Sequence, residues 1–172
     1  AHPEVGILGA NCLLINELGE PGMVFHYPKT DLQIRWHLLF NNAFCHPCAM
    51  FRATMLQYGL YDEKLQFAQD YDLFSRFMRH TKGANLDAIL LHYRWADKNV
   101  SVKHNATQFQ IATEISQRNI NTFLGKNFFS YAEVFKLRHP KDQNYQNPDI
   151  PNVIIFEKWI YLFRNFYKQF HR

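Results

Sequence analysis

The chain has 172 residues, a net charge of +4, 47% apolar and 16% aromatic residues, which fits one domain with a real core and excludes wholesale disorder. The charge is too mild to argue for nucleic acid, though it leaves room for anionic substrates or anionic lipid. Three cysteines, Cys12, Cys45 and Cys48, are too few and odd in number for a secreted disulfide framework.

No stretch reads as a signal peptide or a membrane span, so the expected location is cytoplasmic. The opening residues Ala1-His2-Pro3-Glu4 lead straight into strand-like sequence, and the expectation is a start in mid-domain.

In chain order, Val5–Leu8 and Asn11–Ile15 read as two short buried strands around Gly9. Residues 17–28 hold two Gly and two Pro and read as a loop. Thr30 or Asp31 caps a helix to about Phe40, with Leu32, Trp36, Leu39 and Phe40 on one face. Residues 49–51 read as a short buried strand, followed by a helical turn that stops near Gly59.

After a loop over 60–69, Leu73, Phe74, Phe77 and Met78 recur at helical spacing from Asp70 up to a stop at Gly83. Residues 86–93 read as a strand. A long helix runs from about Val102 to Leu124, ended by Gly125, and a shorter one covers 130–137. The polar, proline-bearing residues 139–151 read as a linker, and 152–171 as a final helix. Strands mixed with helices give way to helices alone, which predicts an α/β portion over residues 1–101 and a helical extension over 102–172.

Three stretches carry possible chemistry. The first is Gln69-Asp70-Tyr71-Asp72, which enters a helix. A fixed carboxylate there can take a proton from an attacking hydroxyl. Asp is equally a preferred N-cap, and a second Asp in the first turn is favoured by the helix dipole. Asp70-Tyr71-Asp72 is formally a D-x-D, but its approach, Lys64 to Gln69, is partly polar and a helix follows. No other D-x-D occurs.

The second stretch is Asn42-Ala43-Phe44-Cys45-His46-Pro47-Cys48, leading to Arg52. Its C-x-x-C admits a thiol oxidoreductase using Cys45 and Cys48, or half of a zinc site. Against both, no long helix opens at Cys48 and no second C-x-x-C exists. The third stretch is Leu90-Leu91-His92-Tyr93-Arg94.

Together with Gly59-Leu60-Tyr61-Asp62-Glu63, the order and spacing of these stretches over Pro3 to His104 resemble the second half of a family 2 glycosyltransferase, the large GT-A group that builds bacterial surface polysaccharides and lipopolysaccharide. The resemblance implies a partial GT-A, Rossmann-like mixed sheet with flanking helices. It implies inverting transfer of a sugar from a nucleotide-sugar donor to a saccharide or lipid-linked acceptor. Asp70 takes the place of the base, while His46, Arg52, Asp72 and Arg94 fall in the acceptor cleft.

Departures are Gln69, where the family has an acid, and Ala96, where it commonly has a His. His92 and His104 are weak candidates for metal ligands. The metal D-x-D of the GT-A group closes an apolar strand, which sets Asp70-Tyr71-Asp72 apart from it. A divalent metal, Mn or Mg, is implied for the intact enzyme through a strand-end, donor-binding D-x-D that this chain lacks, so the isolated chain is expected to be inactive.

The final helix places Phe156, Trp159, Ile160, Phe163, Phe166, Tyr167 and Phe170 on a broad apolar face beside Lys158, Arg164 and Lys168. Such a helix suits a peripheral membrane surface on the inner face of the plasma membrane, a homodimer, or packing on its own domain. A non-catalytic membrane-associated or dimerising module is therefore an alternative to an enzyme.

Overall fold

The computed structural model describes residues 2–96, 105–139 and 151–170. Its centre is strand β1 (Val5–Ile15), which is one continuous strand and not two. Gly9 does not break it. A Cβ at that position would collide with Asn85 Oδ1 at 2.1 Å and crowd the Phe44 ring at 3.0 Å, so the glycine permits a close approach.

Strand β2 (Pro21–Phe25) pairs antiparallel with the C-terminal half of β1, and β3 (Met50–Phe51) pairs antiparallel with its N-terminal half. Strand β4 (Lys82–Arg94) runs parallel to the whole of β1, from Val5 opposite Lys82 to Ile15 opposite Arg94. The sheet is thus mixed. β2 replaces part of the loop expected over 17–28. Most of its side chains face solvent, so no apolar alternation marks it in the sequence. β3 is likewise an edge, with Met50 72% exposed where a buried strand was expected.

Helix α1 (Asp31–His37) begins with a capping box between Thr30 and Gln33 and ends before the expected Phe40. Its inward residues are Ile34 and the following Leu38 and Leu39, whereas Leu32 is exposed. A short 3-10 turn covers His46–Cys48, and another, Ala53–Tyr58, stops at Gly59 with φ 111°. Helix α2 (Gln69–Phe77) starts one residue earlier than expected and is capped by Met78. Gly83 is not its stop; it lies inside β4, where a Cβ would meet the Met78 sulfur at 2.7 Å.

Helix α3 (Asn105–Leu124) precedes Gly125 at φ 67°. Its expected start at Val102 lies outside the described residues. Helix α4 (Tyr131–Arg138) has a Ser130–Glu133 capping box, and α5 (Asn152–Phe170) closes the fold. Most of the expected linker, residues 140–150, lies outside the described residues. No helix among the described residues is long and apolar enough to cross a membrane.

The protein is mixed α/β, with flanking helices and a helical C-terminal part. One buried cluster joins Ile7, Ile34, Phe44, Phe74 and Phe77 to Ala112 and Ile115 of α3. A second gathers Leu39, Ile120, Phe129, Val134, Leu162 and Phe166, with Trp36 packed against it. The C-terminal helices therefore share their core with α1 and α2. Polar contacts follow the same route: Ser116 Oγ donates to Leu39 O at 2.6 Å and Asn119 Nδ2 to Leu38 O at 3.0 Å.

Candidate functional site

Asp70 occupies the first turn of α2 but is not its cap. That place falls to Ala68, which has no capping side chain and a left-handed backbone with φ 56°. A non-glycine residue in this region is uncommon and costs free energy, and such strain gathers at functional sites. The turn aims the next residues so that Tyr71 points inward, fully buried, its hydroxyl donating to Leu38 O at 2.9 Å. Burial pushes the Tyr71 phenol up to about 12.

Asp70 stays partly exposed, with 26% of its side chain accessible. Its Oδ1 accepts the Tyr71 N–H at 2.9 Å and its Oδ2 accepts Asn42 Nδ2 at 2.8 Å. Both carboxylate oxygens are thereby oriented. His46 Nδ1 lies 3.9 Å from Oδ2, an electrostatic distance and too long for a hydrogen bond. The other imidazole nitrogen, Nε2, lies 2.8 Å from the Tyr61 hydroxyl. Burial, then the Asp70 charge, raises the Tyr61 phenol pKa. Burial also raises the Tyr27 phenol pKa, and the charges of Cys45, Cys12 and Asp70 add to the effect.

The loop bearing Tyr61 is tied to α2 by Arg76. Its guanidinium donates to Tyr58 O at 3.3 Å and Leu60 O at 2.6 Å, against the open backbone of Gly59. The stretches around Asn42 and His46 thus meet at the Asp70 carboxylate, and Tyr61 joins them through His46. Asn42 and Tyr61 stood in the motif stretches but were not among the expected site residues. An amide at the end of a turn and an exposed tyrosine carry no chemical signal of their own.

The other expected residues are placed elsewhere. Asp72 is buried and bonded to Arg76 Nε at 2.9 Å and Arg118 Nη2 at 2.6 Å. Arg52 donates to Val5 O and His2 O, which fastens the start of β1. Arg94 Nη1 donates to Asn16 O and Glu17 O at the β1–β2 turn. His92 is exposed on β4, opposite Leu13. His104 lies outside the described residues.

A divalent metal does not fit the carboxylates of the D-x-D. Residues two apart on a helix point about 200° apart. Asp70 Oδ2 is turned to Asn42, and Asp72 is already held by two guanidinium groups. Among the described residues no group of three or more His, Cys, Asp or Glu is placed to hold a metal ion.

The three thiols are free. Cys45 caps the three-residue 3-10 turn, and its thiol is pushed up by burial and by the neighbouring Cys12 and Cys48. This opposes thiolate formation, the condition for a redox nucleophile.

No family model matches the sequence, and no curated protein matches it significantly.

Proposed function

We propose that this chain is the acceptor-side portion of an inverting, nucleotide-sugar-dependent glycosyltransferase of the GT-A, family 2 type, with Asp70 as the base. The observation that carries this reading is the meeting of Asn42 and His46, with Tyr61 bonded to His46, at the partly exposed Asp70 carboxylate. These residues come from the same separate stretches whose order carries the family resemblance.

In this reading the acceptor hydroxyl donates to Asp70 Oδ2. Its proton passes to the carboxylate as the oxygen attacks the anomeric carbon and the bond to the diphosphate breaks. Asn42 and the Tyr71 N–H hold the carboxylate in place, and His46 with Tyr61 lines the acceptor side. In this reading the donor-binding acids are not among these 172 residues, which hold no second D-x-D, and no step here runs through a metal. The acceptor is a saccharide or a lipid-linked saccharide of a surface polysaccharide or lipopolysaccharide.

The test uses a protein that joins this chain to its donor-binding segment, assayed for sugar transfer from nucleotide sugars. Asp70→Asn is expected to cost about 10²-fold or more in transfer while donor binding stays within about twofold. Unchanged transfer rejects Asp70 as the base, and robust turnover by residues 1–172 alone rejects the division of labour.

A second reading concerns location. Val153, Phe156, Phe163 and Tyr167 are exposed along one stripe of α5, with Arg164 and Lys168 also exposed beside it. We infer a peripheral contact with anionic lipid on the cytoplasmic face of the plasma membrane. Sedimentation with phosphatidylglycerol vesicles tests this. The Phe156→Ser, Tyr167→Ser double variant should lose binding without loss of fold, because neither side chain is buried. Equal sedimentation of both proteins rejects the contact and leaves self-association to be read from the oligomeric state.

A further inference from the structure

His46 stands beside the Asp70 carboxylate with its ring held by two aromatic neighbours. The Phe74 ring lies edge-on with its centroid 5.9 Å away, and the Tyr61 ring lies 5.8 Å away. Nε2 is 2.8 Å from the Tyr61 hydroxyl, and Nδ1 is 3.9 Å from Asp70 Oδ2.

Two features decide which nitrogen of the neutral ring carries the hydrogen. Burial and the Asp70 charge keep the Tyr61 phenol protonated, so its O–H donates to Nε2. The Asp70 carboxylate favours an N–H on the nitrogen that faces it, which is Nδ1. Both place the hydrogen on Nδ1.

Nδ1–H and Oδ2 are then a donor and an acceptor side by side, too far apart to satisfy each other. Asn42 takes one of the two lone pairs of Oδ2. Of the side chains, 50% of His46 and 26% of Asp70 are accessible, so a ligand reaches the pair from solvent. Neighbouring hydroxyls of a sugar ring, cis or diequatorial, hold their oxygens about one hydrogen-bond length apart. One can donate to Oδ2 while the other accepts from Nδ1–H. A single hydroxyl serving both would set its two hydrogen bonds about a right angle apart, sharper than the tetrahedral arrangement it prefers.

We propose that Asp70 and His46 together read a vicinal diol on the saccharide acceptor. The attacking hydroxyl donates to Asp70 Oδ2, and its ring neighbour accepts from His46 Nδ1–H. This rests on the reading of Asp70 as the base. His46 selects acceptors whose attacked hydroxyl has a free neighbour, and a sugar already substituted at that neighbour is refused. Tyr61 is a positioning residue that fixes the imidazole tautomer.

Long-range ¹H–¹⁵N spectra of the full chain at about pH 8, where neutral imidazole prevails, read the tautomer directly. Nδ1–H is expected to dominate, and Tyr61→Phe should shift the balance to Nε2–H. A dominant Nε2–H form in the native chain overturns the proposal.

The second measurement uses the protein that joins this chain to its donor-binding segment. Its acceptors are a methyl hexopyranoside and the analogue deoxygenated beside the attacked position. The deoxy analogue should lose about tenfold in kcat/KM with the native protein. In His46→Phe, which keeps a ring at this place, the parent acceptor should fall by a similar factor, and deoxygenation should cost less than about twofold more. A purely structural His46 leaves the two losses multiplicative. Multiplicative losses, or equal use of both acceptors by the native protein, overturn the diol contact. A loss seen only with a donor carrying 2′-deoxyribose assigns the pair to the donor's ribose and also overturns it. Retained transfer in Asp70→Asn rejects the base and this proposal with it. Lost transfer in that variant, with equal use of both acceptors by the native protein, rejects the diol contact alone.

Discussion

Asp70 and Asp72 stand on either side of Tyr71 in the first turn of α2 and face opposite environments: Asp70 meets the neutral amide of Asn42, and Asp72 meets the cations of Arg76 and Arg118. The helical turn between them separates a group available for chemistry from one bound into the fold.

Asp72 is expected to matter for stability. Its side chain is 3% exposed, whereas Arg76 is 25% and Arg118 44% exposed. Removing a buried partner costs about 3–5 kcal/mol when the remaining charge is also buried. Here water can reach both arginines, so Asp72→Asn should cost about 2–3 kcal/mol. Urea unfolding of the variant measures this, and a loss below about 1 kcal/mol would show that Asp72 is dispensable.

Ala68 gives a prediction of unusual sign. Left-handed backbone costs a non-glycine residue about 1–2 kcal/mol, and the methyl group lost on shortening to glycine is worth about 0.8 kcal/mol when buried. Ala68→Gly should therefore leave stability unchanged or raise it by up to about 1 kcal/mol. Ala68→Val should lower it by about 2 kcal/mol or more, since a branched side chain suits this conformation least. A clear loss of thermal stability in the glycine variant would refute the strain.

Glu133 sets an acid limit on the docking of α5. Burial pushes its carboxyl upward, but hydrogen bonds from Lys158 and Ser130 outweigh burial and hold it below its ordinary value of 4.5. Lys158 also donates to Phe128 O at 2.8 Å. Because the folded pKa is depressed, this contribution is complete above about pH 4.5. It disappears as the pH falls through the lower folded value. Stability measured from pH 6 to 3 should fall less steeply in Glu133→Gln than in the native protein; parallel curves would exclude the linkage.

Cys45 should react slowly. A raised thiol pKa leaves less thiolate at pH 8 than an exposed thiol has. Alkylation by iodoacetamide, mapped by mass spectrometry, should be at least about tenfold slower at Cys45 than for glutathione. A rate equal to that of glutathione would reopen redox chemistry at the C-x-x-C.

Local signals made much of the fold legible. The Thr30–Gln33 and Ser130–Glu133 boxes and the glycines at 59 and 125 mark element ends through backbone chemistry present in the sequence itself. Tertiary approach hid the rest. Gly9 looked like a break because Phe44 and Asn85 press on it from distant positions. β2 lacked a pattern because it is an exposed edge. Asp72 resembled Asp70 until α3 delivered Arg118. Within the candidate site, Asp70 and His46 stood out by residue type, while Asn42 and Tyr61 gained meaning only through their distances.

The end of α1 carries a consequence for how the chain acquires its structure. Its terminal carbonyls at Leu38 and Leu39 are not closed by a local motif; they receive the Tyr71 hydroxyl, the Asn119 amide and the Ser116 hydroxyl. Two of those donors belong to a helix that leaves the ribosome long after α1. The early part of the molecule therefore waits for the late part before its hydrogen bonding is complete, and the two are expected to fold and unfold as one cooperative unit. Amide exchange in α1 should consequently follow global opening and not local fraying, which makes residues 1–101 alone a poor independent fold.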